Sequence, residues 1–320
     1  QEKQMVTQEG KNTRVIGIHG NFDDAQTGVK KLFGDRELAA WMAERGFQFS
    51  SANSINIGRL VPQIVYYVYA CAQLFKEGRI GETETVNVVV PTGNFGNILA
   101  AFYAKQMGAP IGKLICASNE NKVLYDFFRT GVYDRNREFV LTASPSMDIL
   151  VSSNLERLIY QIAGNDAECC RELMEALSGK GRYEISEQMR KRLGSFAGGF
   201  ASEEECKDKI RRVYEDTGYV LDPHTAVAAA VCEKYQTESG DPAKTLIAST
   251  ASPYKFTKTV MGAVCPEQAE GDDFWLAGQL SRISKTDVPE AVAKLADAPV
   301  RHDFVCEKDG MEEAVKEFLS

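Results

Sequence analysis

Apolar positions along this chain fall into two alternating patterns. Short β-branched runs predict strands at Val15-Ile16-Gly17-Ile18, 47–51, 86–90, Leu114-Ile115-Cys116-Ala117, Phe139-Val140-Leu141, 244–249 and 300–305. Between them apolar residues recur at helical spacing. Examples are Leu60, Ile64, Tyr67, Val68 and Cys71 in a long helix over 57–75, and Ile98, Leu99, Phe102 and Tyr103 after residue 97. Val123, Leu124, Phe127 and Phe128 mark another helix, as do Leu155, Leu158, Ile159 and Ile162. Strands alternating with helices predict an α/β fold with parallel sheets, whose ligand loops gather at the carboxyl ends of the strands. A chain of 320 residues is long for one lobe, so two are expected. The reading takes 1–58 as the remnant of a smaller lobe and 59–320 as a larger one. A charged helical insertion is expected at about 165–217, interrupted by glycines from Gly194 to Gly199.

The run Val88-Val89-Val90 predicts a strand buried on both faces, stopped by Pro91-Thr92-Gly93. It passes through Gly93-Asn94-Phe95-Gly96-Asn97 into a helix that Gly108 can end. A helix start offers unpaired backbone N–H groups and a positive dipole end, and two glycines allow an anion close to the backbone. The loop therefore reads as a phosphate cup or as a tight strand-to-helix turn. It is not a nucleotide-triphosphate loop, because Asn97-Ile98 follows Gly96 where Lys and Ser or Thr are needed. The dinucleotide fingerprint G-x-G-x-x-G is absent as well, since Gly93 and Gly96 are three apart.

Polar residues stand at other predicted helix starts. Asn53, Ser54, Asn56 and Arg59 lie where a strand gives way to a helix, either as caps or as ligand groups. Ser153-Asn154-Leu155-Glu156 has capping-box form, and so do Ser202 and Glu205. Asp222-Pro223 reads as an N-cap followed by a first-turn proline, which puts His224 in the first turn. A proton-transfer role and a structural one are both open to that histidine.

Composition narrows the partners. A net charge of −8 without long basic runs argues against nucleic acid or an anionic membrane. No apolar stretch reaches membrane-spanning length. The eight cysteines form no C-x-x-C pair, so they read as reduced, mostly buried thiols of a cytoplasmic protein. His19, His224 and His302 are too scattered for a metal set.

The wording of the loop adds more than its spacing. PTGNFGN resembles the cofactor-phosphate loop of threonine synthases of the bacterial and fungal type. NSINIGR from Asn53, SPSMDILVSSNLERL from Ser144, LDPHTAVA from Leu221 and TASPYKF from Thr250 resemble the same family in its own order. The resemblance covers nearly the whole chain. It implies the parallel-sheet fold type II of pyridoxal-phosphate (PLP) enzymes, tryptophan synthase β-like, with the smaller lobe incomplete. It implies PLP as cofactor, bound by Gly93, Asn94, Phe95, Gly96 and Asn97, with the Thr250 hydroxyl on the pyridine nitrogen. Asn53, Ser54, Asn56 and Arg59 become substrate residues, and O-phosphohomoserine plus water would give threonine and phosphate. A cytoplasmic monomer or homodimer is expected.

The family's Schiff-base lysine sits in a motif resembling P-T-x-A-F-K-D, and no lysine here has that setting; Lys255 stands in Tyr254-Lys255-Phe256. The expectation is a C-terminal portion, inactive or nearly so alone. The alternatives are another fold type II lyase, such as a threonine dehydratase or cysteine synthase, or a non-catalytic binder of a phosphorylated ligand.

Overall fold

Val86–Pro91 is a strand with every residue buried, the valines by their apolar character and Asn87 with its side chain hydrogen-bonded to Asp241 and the Lys113 N–H. Successive strand residues face opposite sides, so continuous burial means that both faces of the sheet are covered. The strand pairs in parallel with Ile111–Ser118 on one side and with Thr245–Ile247 on the other. Phe196–Phe200 joins the far edge of Ile111–Ser118, also in parallel, which completes a four-stranded sheet. Helix Gly96–Gln106 buries Ile98, Leu99, Ala100, Ala101 and Ala104, and helix Pro223–Ser239 buries Ala226, Val227, Ala228, Ala230 and Val231 against the same sheet. Each fully buried Val, Leu or Ile contributes roughly 1.5–3 kcal/mol.

The structure is a computed structural model that describes residues 2–53 and 55–320. The chain folds as two compact units. One is Ser51–Ala269, which holds this sheet, and the other is made from Gln1–Ser50 together with Glu270–Ser320. In that second unit Gly17–Ile18 pairs in parallel with Val305–Cys306. Helix Phe22–Gly34 starts at an Asn21–Asp24 capping box, and Asp24 also meets Lys308 at 2.8 Å. The division therefore differs from the expected boundary at residue 58, because 270–320 folds with the first fifty residues.

Several elements depart from the periodicity. The segment 165–217 is not an insertion laid on the lobe, since it supplies the edge strand Phe196–Phe200. Its glycines are there for close approach. A Cβ on Gly199 would stand 2.4 Å from Val231 Cγ1, and one on Gly198 would stand 3.2 Å from Phe128 Cβ. The same segment holds Arg182–Glu184, which pairs antiparallel with Val132–Asp134 and stacks Tyr183 on Tyr133 at 5.3 Å. Residues 139–141 form no strand, because the Asn121 side chain takes both backbone groups of Val140, at 2.7 and 2.9 Å. Residues 47–50 are likewise not a strand. Pro62 breaks the expected 57–75 helix into Ile57–Leu60, a 3-10 turn at Val61–Gln63, and Ile64–Lys76. Among the described residues no helix is long and apolar enough to cross a membrane.

Candidate functional site

The central strand delivers the loop to the start of helix Gly96–Gln106, whose N-cap is Phe95. Phe95 has φ 63°, the left-handed region that a phenylalanine rarely occupies. Its buried ring lies 6.0 Å from both Phe128 and Phe196, and this packing offsets a backbone cost of about 1–3 kcal/mol. A phenylalanine cannot cap through its side chain, and no side-chain cap forms. The first helical amides thus have no intrahelical acceptor, and they sit at the positive end of the helix dipole.

The loop carbonyls are held elsewhere. Ser152 Oγ donates to the Gly93 carbonyl at 2.7 Å. Asn154 donates to the Asn94 carbonyl from Nδ2 at 2.7 Å and from its backbone N–H at 3.2 Å. Ser153 Oγ donates to Asn94 Oδ1 at 3.1 Å. With its carbonyls tied to residues 152–154, the loop has its amides to offer to a ligand. The buried Tyr67 hydroxyl donates to Asn97 Oδ1, and burial pushes that phenol far above its ordinary range. Asn97 Oδ1 is therefore an acceptor, which leaves its Nδ2 as a donor.

A pocket of about 270 Å³ opens over this loop. It is lined by Gln63, residues 91–97, Ser146, Met147, His224, Thr250 and Ala251. His224 and Asp222 are both buried. Asp222 caps its helix, accepting the His224 backbone N–H at 2.9 Å, and the same oxygen lies 3.0 Å from His224 Nδ1. Nε2 accepts the Ser146 N–H at 3.3 Å, which assigns the ring proton to Nδ1. Cys116 pairs in the sheet with Val90 beside the loop; burial pushes its thiol up to about 12, so it is no thiolate nucleophile at neutral pH.

Of the residues singled out in the sequence, Gly93, Asn94, Phe95, Gly96, Asn97 and Thr250 come together on this pocket. Asn53, Asn56 and Arg59 are not part of its lining. Asn56 caps the Gly58 N–H at 3.0 Å and donates to the Ser51 carbonyl at 2.9 Å. Asn53 Oδ1 accepts the Ile55 N–H at 3.3 Å, and Arg59 Nε donates to the Ala52 carbonyl at 3.0 Å. Ser54 lies outside the described residues. Gln63, one turn beyond Arg59, reaches the pocket instead.

Sequence reasoning does not single out Ser152, and it takes Ser153 and Asn154 as the start of a capping box and not as site residues. The expected capping box does not form there, since helix Leu155–Ile162 begins at Asn154 without a side-chain cap and Ser153 turns to Asn94. The Ser202–Glu205 box and the Asp222 cap do form. Among the described residues lining the pocket there is no lysine.

Known proteins resemble the chain along most of its length. Residues 225–319 match the family model described as threonine synthase, C-terminal. Threonine synthase-like 1 of Homo sapiens is 43% identical over 267 residues, which cover 82% of this chain and 36% of that protein. Threonine synthase of Saccharomyces cerevisiae is 36% identical over 279 residues, 82% of this chain and 53% of that protein. The PLP-bound threonine synthase from Brucella melitensis superimposes with a TM-score of 0.79 at 33% identity, covering 99% of this chain and 62% of that one. The chain thus spans about a third to about half of the length of these curated relatives. The α/β architecture is that of the PLP-dependent threonine synthases. Taken with the collinear motifs and the Gly93–Asn97 loop, these matches show that the chain is similar to threonine synthases along most of its length.

Proposed function

We propose that this chain carries the cofactor cup of a PLP-dependent threonine synthase, which converts O-phosphohomoserine and water to threonine and phosphate. The observation that carries the reading is the uncapped helix start at Phe95–Gly96, with the Gly93 and Asn94 carbonyls already engaged. The residues present fit the group. A dianionic phosphate suits the amides of residues 94–97 and Asn97 Nδ2. The Thr250 hydroxyl, on the same pocket, suits a pyridine nitrogen. A neutral hydroxyl leaves that nitrogen less protonated than a carboxylate would, which favours elimination and replacement. When bound, PLP supplies an electron sink for carbanions on the amino-acid carbons.

The remaining steps need a group that holds the cofactor and moves protons. His224 is the titratable side chain in the lining, but its Nδ1 is committed to Asp222 and its Nε2 to Ser146. In this reading the lysine comes from sequence outside this chain, so the chain alone binds PLP weakly and turns over little or no substrate. Asn53, Asn56 and Arg59 serve first as supports of the 51–59 turn. A non-catalytic binder of phosphorylated ligands is the second reading, favoured by the lysine-free lining.

Borohydride reduction of the protein with PLP, followed by peptide mass mapping, tests the assignment. The expected result is saturable PLP binding without stoichiometric labelling of any one lysine. One lysine labelled in full proportion, or phosphate release from O-phosphohomoserine by this chain, overturns the account of the missing group. Absence of any PLP binding overturns the cup itself. Supplying the family's lysine-bearing segment separates the two readings, since turnover then belongs to the first alone.

A further inference from the structure

The 3-10 turn Pro145–Met147 forms one wall of the pocket and is held from two directions. From below, buried Asp148 accepts from Asn119 Nδ2 at 2.7 Å, Asn121 Nδ2 at 3.0 Å, Thr142 Oγ1 at 2.7 Å and the Thr142 N–H at 2.9 Å. Asn119 Nδ2 also reaches Ser144 Oγ at 3.0 Å. From the side, His224 Nε2 accepts the Ser146 N–H. That ring has little freedom to turn, with Nδ1–H on Asp222 and Phe256 edge-on at 5.0 Å.

The turn presses on the loop. A Cβ on Gly93 would stand 2.4 Å from the Ser146 carbonyl oxygen and 3.2 Å from Met147 Cα. The Ser146 backbone thus joins the His224 ring, through its N–H, to Gly93, through its carbonyl oxygen. Pinning this turn leaves Gly93, and the amides that follow it, little room to shift.

We infer that His224 and Asp222 are positioning residues for the anion-binding loop, acting through Ser146. Asp222 fixes the tautomer, His224 presents a bare Nε2 to the Ser146 amide, and the Ser146 carbonyl seats Gly93. The consequence for PLP affinity rests on the function proposed above. The mechanical coupling of His224 to the loop does not.

Two substitutions separate the contacts of the ring. H224N keeps a donor for Asp222 at the Nδ1 position and loses the acceptor for Ser146. H224Q places an amide oxygen near the Nε2 position and restores that acceptor. Hydrogen–deuterium exchange of the whole chain is followed in peptides covering 93–97 and 144–148, with PLP titrations in parallel. The expected result is exchange about tenfold faster in both segments for H224N and near wild type for H224Q, with PLP affinity following the exchange. Equal behaviour of the two variants, or faster exchange at 144–148 with 93–97 unchanged, overturns the inference. If H224N does not fold, H224F, which keeps the ring contact with Phe256 and loses the acceptor, takes its place. A wild-type chain that binds no PLP overturns the proposed function, while the exchange data still decide the coupling.

Discussion

Asn154 holds the carbonyl of Asn94 with two donors, one from its side chain at 2.7 Å and one from its backbone at 3.2 Å. The two residues are sixty positions apart in sequence, yet this contact decides which face the Gly93–Asn97 loop turns toward the pocket. N154A removes the stronger donor. We expect a stability loss of about 0.5–1.5 kcal/mol and PLP binding weaker by about fivefold to tenfold. Thermal unfolding and a PLP titration check this. N154D should be worse, because it sets a carboxylate oxygen against a carbonyl.

Edge glycines make a second test, one that does not depend on function. G199A inserts a methyl 2.4 Å from Val231 Cγ1, at the contact between the edge strand and helix Pro223–Ser239. Overpacking of this kind costs about 1–3 kcal/mol. Urea unfolding should show a lower midpoint with an unchanged slope, and a paired V231A substitution should recover part of the loss.

Thr250 is exposed and lines the pocket beyond the strand Thr245–Ile247. T250V should leave the unfolding temperature within experimental scatter, since nothing is packed away. The visible absorption of added PLP should shift and its affinity fall, while T250S should stay close to wild type. A spectrum unchanged in T250V would remove this residue from the cofactor site.

An acid limb is expected in the unit built from the two chain ends. The Asp24 carboxyl is held below its ordinary value, first by the Asn21 backbone N–H and then by Lys308. A carboxylate whose folded value is depressed stabilises fully above its unfolded value, 3.8 here, and that contribution fades as pH falls through the lower folded value. Melting temperatures of wild type and D24N, compared at neutral pH and near pH 3, should converge in acid. A gap that persists unchanged would assign the effect of D24N to something other than charge.

The loop and the sheet core were legible because local signals agree there. An unbroken valine run, a Pro-Thr-Gly stop and a helical repeat after Asn97 all specify one strand-loop-helix unit. Thr250 joined them through resemblance, not through any property of a lone threonine. Phe196–Phe200 stayed hidden because Gly198 and Gly199 read as a break, and only the nearness of Phe128 and Val231 explains them. The supports at Ser152 and Asn154 were equally out of reach. Their partners lie far away in the chain, and a capping box is the simplest local account of the same letters. Asn53, Asn56 and Arg59 show the converse, with local turn bonds explaining residues that resemblance placed on the substrate.

The pairing of Gly17–Ile18 with Val305–Cys306 also has a meaning for the order of synthesis. The unit that holds the pocket, Ser51–Ala269, is continuous and can close as soon as it leaves the ribosome. The first fifty residues emerge earlier but wait for Glu270–Ser320 before their small sheet can form. Completing that sheet is therefore a late, long-range event, since its two strands lie at opposite ends of the sequence that separates them.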